Sequence, residues 1–246
     1  MGRELRRLLI AAPQLAAAAG TGLLPLAPEQ SRYLTRVLRY GPGARFAVVD
    51  GAGSLWEAEL LDRDRAQLQQ PLEQPLLVAS APRPQLVLAA AVVKRDFDLV
   101  VRMAVELGVD RLVPLLCERT AVLGQLRPER WSSIAAEAAE QCERLWLPRI
   151  DPPTPLAECL LPAPEAARLW ATTRRAGLPS ISGALACQSS PEVWLACGPE
   201  GGWSEREEQQ AEAAGWRPVQ LGPTILRSST AAVAGLTLLS SWRAGC

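Results

Sequence analysis

Two glycine-bearing loops hold the residues of this chain best suited to grip a ligand. The first runs Gly198-Pro-Glu-Gly-Gly202 at the end of an apolar stretch, and the second runs Gly222-Pro-Thr-Ile-Leu-Arg227 after a short strand-like stretch. Glycine lets the backbone come close to a bound molecule, and a helix start beyond each loop offers free N–H groups to a nucleotide-like ligand. Taken singly, each loop is equally explained as a tight turn that caps a helix. Neither G-x-G-x-x-G nor Gly-Lys-Ser/Thr is present, so the dinucleotide and P-loop fingerprints do not apply. The chain contains no histidine, which excludes the classical serine and cysteine triads. A general base must then be a carboxylate, the substrate or water.

The elements around these loops alternate as in an α/β sheet. Ser204 and Glu207 have capping-box spacing, so a helix is expected to Ala214 with Gly215 as its left-handed stop. A strand at Arg217–Leu221 and a last helix at Ser228–Trp242 follow. That helix is apolar around most of its girth and must be buried, in the core or against a second subunit. Upstream, Leu86–Val93 is a continuous apolar run, as in a strand covered on both faces, with Lys94 and Arg95 at its carboxyl end. Helices are predicted at Asp96–Leu107 and Arg130–Leu145, and strands at Arg111–Leu116, Ala167–Ala171 and Glu192–Cys197. The proline-rich segment from Asp151 to Pro164 reads as loop, and Thr172 to Arg175 as a polar loop at a strand end.

Residues 1–75 differ in character. Strands are expected at Arg45–Val49 and Leu55–Leu61, with Asp50-Gly-Ala-Gly53 turning between them. A helix at Glu29–Arg39 places Arg32, Arg36 and Arg39 on one stripe. With Arg3, Arg6 and Arg7 this makes a phosphate-tracking surface, or simply a solvated face. Pro71, Pro75, Pro82 and Pro84 mark the boundary to a second domain, 76–246.

Bulk composition narrows the alternatives. The formal net charge is zero, so no overall field draws nucleic acid, yet every basic residue except Lys94 is arginine, the better residue for forked phosphate contacts. Codon bias accounts for that preference equally well. Six cysteines, Cys117, Cys142, Cys159, Cys187, Cys197 and Cys246, show no metal-binding spacing and suit a reducing, cytoplasmic compartment; no metal is expected. No apolar stretch spans a membrane without interruption, and Glu4, Pro13 and Gln14 break the run that resembles a signal peptide.

Several separated motifs together resemble one family. Cys197-Gly-Pro-Glu-Gly-Gly-Trp-Ser204 and Leu221-Gly-Pro-Thr-Ile-Leu-Arg-Ser-Ser-Thr-Ala231 resemble the signature of the SPOUT methyltransferases. Within that class the chain is most similar to the RsmE-type family, which methylates N3 of a uridine in 16S ribosomal RNA. Arg36-Val-Leu-Arg39 with Gly41-Pro-Gly43, Glu106-Leu-Gly-Val109, Pro114-Leu115 with Glu118-Arg119, and Glu140-Gln-Cys142 with Arg144 and Pro148 extend the likeness over most of the chain.

The resemblance implies a PUA-like RNA-binding β-barrel followed by an α/β domain with a parallel sheet and a C-terminal trefoil knot. It implies a cytoplasmic homodimer that binds S-adenosyl-L-methionine and the small ribosomal subunit. By motif position the cofactor lies against Gly198, Glu200, Gly201 and Gly202, against Leu221, Gly222, Ile225 and Leu226, and against Thr172. RNA is assigned to Arg6, Arg7, Arg32, Arg36, Arg39, Lys94, Arg95 and Arg144. Uridine N3 becomes nucleophilic as its proton leaves, and Arg227 is the cation placed to stabilise the charge that spreads onto O2 and O4; the proton goes to water or to a carboxylate, for which Glu200 is a poor candidate. The family usually has Arg at the position of Thr224 and Glu at that of Ser229, and Ser229 is expected to cap the last helix instead. These departures leave open an RNA-binding or ribosome-assembly factor without methyl transfer, and a SPOUT enzyme acting on tRNA is a third reading. A nicotinamide enzyme lacks its fingerprint here.

Overall fold

The computed structural model describes residues 5–121, 126–161, 165–186 and 189–245. These described residues form two compact units: those within 5–81 and 139–147, and those within 82–138 and 148–245.

The first unit is a six-stranded sheet with small helices. Its elements are β1 (Arg7–Leu9), α1 (Ala12–Ala17), β2 (Leu23–Pro25), α2 (Pro28–Arg32), β3 (Arg45–Val49), β4 (Ser54–Leu60), β5 (Arg65–Leu68) and β6 (Leu77–Val78). The strand order is β1-β3-β4-β5-β2, with β6 on β4. β1 runs parallel to β3 and the remaining pairs are antiparallel. Period-two alternation explains the two cores. Phe46 and Val48 face a cluster with Leu8, Leu24, Leu34 and Trp56, while Ala47 and Val49 face Leu55 and Leu145. The predicted helix at Glu29–Arg39 is shorter than expected: α2 ends at Arg32, a single widened turn covers Tyr33–Val37, and Arg39 has a φ of +57°. The straight arginine stripe is therefore broken, since 3.6-residue spacing holds only in α2.

Sequence periodicity also extended one helix too far. Helix α4 (Pro128–Gln141) stops well before Leu145, and Glu143 adopts a φ of +63°. Beyond it Leu145 accepts from Gly53 N at 3.0 Å and the Trp146 indole donates to the Ala79 carbonyl at 3.0 Å. These long-range partners hold residues 139–147 in the first unit, an arrangement that a single cut of the chain near residue 75 does not contain.

The second unit is a three-layer sandwich around a parallel sheet. Besides α4 it contains β7 (Gln85–Ala91), α3 (Phe97–Glu106), β8 (Arg111–Leu116), β9 (Arg149–Ile150), β10 (Thr154–Pro155), α5 (Leu156–Cys159), β11 (Ala166–Ala171), α6 (Ile181–Leu185), β12 (Glu192–Cys197), α7 (Glu205–Ala213), β13 (Arg217–Val219) and α8 (Ser228–Ala244). The order is β10-β8-β7-β12-β11-β13, with β9 also on β8. Every pairing is parallel. The described part of the proline-rich segment is thus not all loop, because β10 and α5 lie in it; residues 162–164 fall outside the described residues.

The apolar run of β7 is buried throughout, and its alternate residues serve opposite faces. Val87, Ala89 and Ala91 join Leu156 and Leu160 near α5 and Ala211 of α7. On the other face α8 packs against β7, β12, α3 and α6. A Cβ on Gly235 would lie 2.4 Å from Leu195 Cδ2, so the absence of a side chain there lets α8 settle directly on the sheet. The expected buried last helix is present, with Ala232, Leu236 and Leu239 inward and Leu238 37% exposed.

Candidate functional site

In a parallel sheet every strand exits at the same edge, which is where open α/β sheets bind ligands. Here that edge gathers the loops after β7, β8, β11, β12 and β13. The capping box forms as its spacing predicts: Ser204 Oγ accepts from Glu207 N at 3.1 Å, and Glu207 Oε2 accepts from Ser204 N at 2.8 Å. Glu207 does more than cap. Its other oxygen accepts from Glu118 N at 2.8 Å, so a carboxylate only 2% exposed pins the loop after β8 to the start of α7. From the same β8 loop Arg119 Nη1 donates to the carbonyls of Gly201 at 2.9 Å and Trp203 at 3.0 Å. Arg119 was visible in the sequence only as part of a motif, without a role. The Ser204 hydroxyl and then the Arg206 guanidinium hold the Glu118 carboxyl below its ordinary range.

Trp203 fixes the first glycine loop from beneath. Its ring stacks on Trp170 with centroids 4.7 Å apart, and its N–H donates to the Ala171 carbonyl at 2.9 Å. A Cβ on Gly198 would lie 2.8 Å from that ring, so only glycine lets the strand end cross the indole. The second loop is joined to the first where Ser228, the first residue of α8, donates its hydroxyl to the Gly198 carbonyl. The helix is capped at Arg227, whose side chain makes no capping bond. Ser229 lies inside the helix and is not its cap, because the turn places Ser228, not Ser229, against the first loop.

The structure brings most of the assigned cofactor residues to one place. Gly198, Glu200, Gly201 and Gly202 form one side, with Glu200 and the two following glycines exposed. Leu221, Gly222, Ile225 and Leu226 form the other; Ile225 is 65% exposed, whereas Leu221 is half-buried and approaches the Gly235 position. Thr172 lies in the adjoining loop, but its hydroxyl donates to Glu208 Oε1 at 3.2 Å and its N–H to Val219 at 3.1 Å, so both polar groups serve the fold. Arg227, Lys94 and Arg95 are exposed at the same edge.

In the first unit, Arg6, Arg32, Arg36 and Arg39 are exposed and Arg144 is half-buried. Arg7 differs: it pairs with the Glu143 carboxylate at 3.0 Å and also bonds the Glu143 carbonyl, which makes it a fastener of residues 139–147. Arg3, Cys187 and Cys246 lie outside the described residues.

The second unit carries its fastened loops at the carboxyl edge of a parallel sheet, and comparison with known proteins identifies the class as RNA methyltransferase. The RNA methyltransferase domain family matches residues 80–240 and the RNA methyltransferase PUA domain family matches residues 26–69. A protein of Synechocystis named ribosomal RNA small subunit methyltransferase E is 36% identical over 241 residues, covering 96% of this chain and 77% of its own length. The chain belongs to that family, ribosomal RNA small subunit methyltransferase E. Among solved structures, a Legionella pneumophila protein described as a methyltransferase with bound cofactor SAM superposes with a TM-score of 0.83 at 26% identity, covering 97% of this chain and 98% of that one. The Neisseria gonorrhoeae ribosomal RNA small subunit methyltransferase E bound to S-adenosyl methionine gives 0.78 at 28% identity, with the same coverage of 97% and 98%.

Proposed function

We propose that this chain methylates N3 of a uridine in small-subunit ribosomal RNA, using S-adenosyl-L-methionine held between the two glycine loops. The observation that carries the reading is the Ser228 hydroxyl on the Gly198 carbonyl, which ties together two loops distant in sequence. The residues present fit the cofactor: no atom lies within 4 Å of the Cβ position of either Gly202 or Gly222, so the backbone faces open space there. The bound cofactor would supply an activated methyl group on sulfonium sulfur.

The protein's part is positioning and electrostatics. Gly198 to Gly202 and Leu221 to Leu226 orient the donor, while Arg119 and Glu207 hold the first loop in place. Arg227, exposed and without a side-chain partner among the described residues, is free to approach the uracil oxygens as N3 loses its proton. Glu200 is exposed on the same edge and is the carboxylate assigned to receive that proton, directly or through water. Lys94 and Arg95 at this edge, and Arg6, Arg32, Arg36, Arg39 and Arg144 in the first unit, are assigned to the RNA backbone.

The same reading includes the trefoil knot, a homodimer and a cytoplasmic site of action. The loop after β11 is fastened to the exit of β13 by Gln220, which donates to the carbonyls of Pro179 at 3.0 Å and Leu178 at 2.9 Å, and this supports the knotted path. Exposed Ile225 and Leu238 support a partner subunit over α8. No helix among the described residues is long and apolar enough to cross a membrane.

Transfer of labelled methyl to small subunits from cells lacking the modification, followed by mapping of the modified base, tests the proposal. A methylated N3 of one uridine is expected. Label in tRNA would redirect the substrate assignment, and tight cofactor binding without transfer would assign the chain as an assembly factor.

A further inference from the structure

At the amino-terminal edge of the same sheet, opposite the glycine loops, one cross-strand row has an unusual composition. Arg111 of β8 is in register with Val87 of β7, Val87 with Trp194 of β12, and Trp194 with Arg168 of β11. Register partners share a face, and Trp216, just ahead of β13, stands beyond Arg168 on that face. A cavity of about 170 Å³ lies there, lined also by Asp151, Glu158 and Cys159.

The polar groups around this cavity are unequally committed. Arg111 donates twice to Asp151 Oδ2, at 2.9 and 2.6 Å, and its guanidinium sits 5.1 Å from the centre of the Trp194 ring. Arg149 Nε lies 2.7 Å from the other Asp151 oxygen, so that carboxylate is neutralised twice. Trp194 Nε1 and Trp216 Nε1 are buried with no acceptor among the described residues, in side chains of residues only 9% and 2% exposed. Among the described residues Arg168 donates only to the Leu161 carbonyl, at 3.5 Å. Burial pushes the Cys159 thiol up to about 12, so it stays neutral and keeps its proton. Two of the buried lining atoms without a hydrogen-bond partner among the described residues are these indole donors; the third is Asp151 Oδ1, which faces the Arg149 guanidinium. Half-buried Arg168 is a cation with no carboxylate partner among the described residues. Glu158, at the rim, is exposed to solvent.

Buried donors are ordinarily satisfied, and two indoles beside an uncompensated guanidinium call for a guest that brings acceptor oxygens and negative charge. We propose that this cavity is a second ligand site, for a small oxyanion of carboxylate or phosphate size, held by Trp194, Trp216 and Arg168.

Indole N–H resonances of the nitrogen-labelled full chain, assigned with Trp194→Phe and Trp216→Phe, test this as phosphate or acetate replaces chloride at constant ionic strength. The Trp194 and Trp216 resonances should shift together and saturably, with the two arms separating a phosphate guest from a carboxylate guest. Arg168→Gln should weaken binding about tenfold, while Glu158→Gln should strengthen it severalfold by removing repulsion at the rim. Resonances that stay fixed in both anions, or that move as much in chloride, would overturn the proposal and leave a cavity filled by water. Neither cofactor nor RNA is in the sample, so the result is independent of methyl transfer.

Discussion

Ser228 donates its hydroxyl to the carbonyl of Gly198, and through that bond the start of the last helix is tied to the end of the central strand. Ser228 is 9% exposed, so the carbonyl it serves has little access to water. Ser228→Ala should lower stability by about 1 kcal/mol, the net worth of such a bond. The larger effect is expected on the ligand: calorimetry should show cofactor affinity reduced about tenfold, equivalent to about 1.4 kcal/mol, as the two loops part.

Gly198→Ala tests the close passage over Trp203. The added methyl would sit 2.8 Å from a ring that is itself stacked on Trp170, so neither partner can yield cheaply. Thermal unfolding should show a loss of roughly 1–3 kcal/mol, typical of overpacking. Near-normal stability together with near-normal cofactor binding would mean that the loop is more compliant than its contacts indicate.

Arg227→Ala separates charge stabilisation from binding. The side chain makes no capping bond to α8, so its removal should leave the fold and the cofactor affinity unchanged. Turnover at saturating cofactor should fall about a hundredfold or more, corresponding to ~2.7–4 kcal/mol. Turnover close to that of the parent chain would remove Arg227 from the mechanism.

Arg243 near the end of α8 is paired with Asp110 at 2.5 Å, with side chains 16% and 10% exposed, and also donates to the Gly108 carbonyl at 2.8 Å. Arg243→Met should take this guanidinium from a carboxylate that otherwise accepts from Leu86 N, and cost roughly 3 kcal/mol in denaturant unfolding, as expected when one member of a buried pair is removed.

The thiols give a pH prediction. Burial pushes Cys117, Cys159 and Cys197 up to about 12, against an ordinary value of 9.0. A pKa raised in the folded state adds stability that is fully present below 9.0 and is lost as pH rises toward about 12, because only the unfolded chain ionises there. Stability should fall across that window. Alkylation at mildly alkaline pH, mapped by mass spectrometry, should spare these three cysteines until the chain unfolds.

The site's local half was readable because it rests on local rules. Ser204 and Glu207 are three residues apart, and their reciprocal bonds follow from that spacing alone. The strand ends at Leu116 and Cys197 follow from apolar runs with polar or glycine stops. What was not readable depends on distant partners. Leu145 and Trp146 continue an acceptable helical pattern, and only Gly53 and Ala79 draw them away from it. The second oxygen of Glu207 and the double grip of Arg119 likewise need the sheet to bring the β8 and β12 exits together. Helical spacing also placed Arg39 beside Arg32 and Arg36, but it has no means to anticipate a widened turn.

Strand β12 lies between β7 and β11, although ribosomal synthesis delivers it after both. Until it emerges, the two older strands each keep an unpaired edge, and the catalytic half has no continuous sheet to build upon. The two glycine loops can therefore meet only after β12, β13 and the start of α8 have all left the ribosome, so no earlier nascent stretch contains the paired turns.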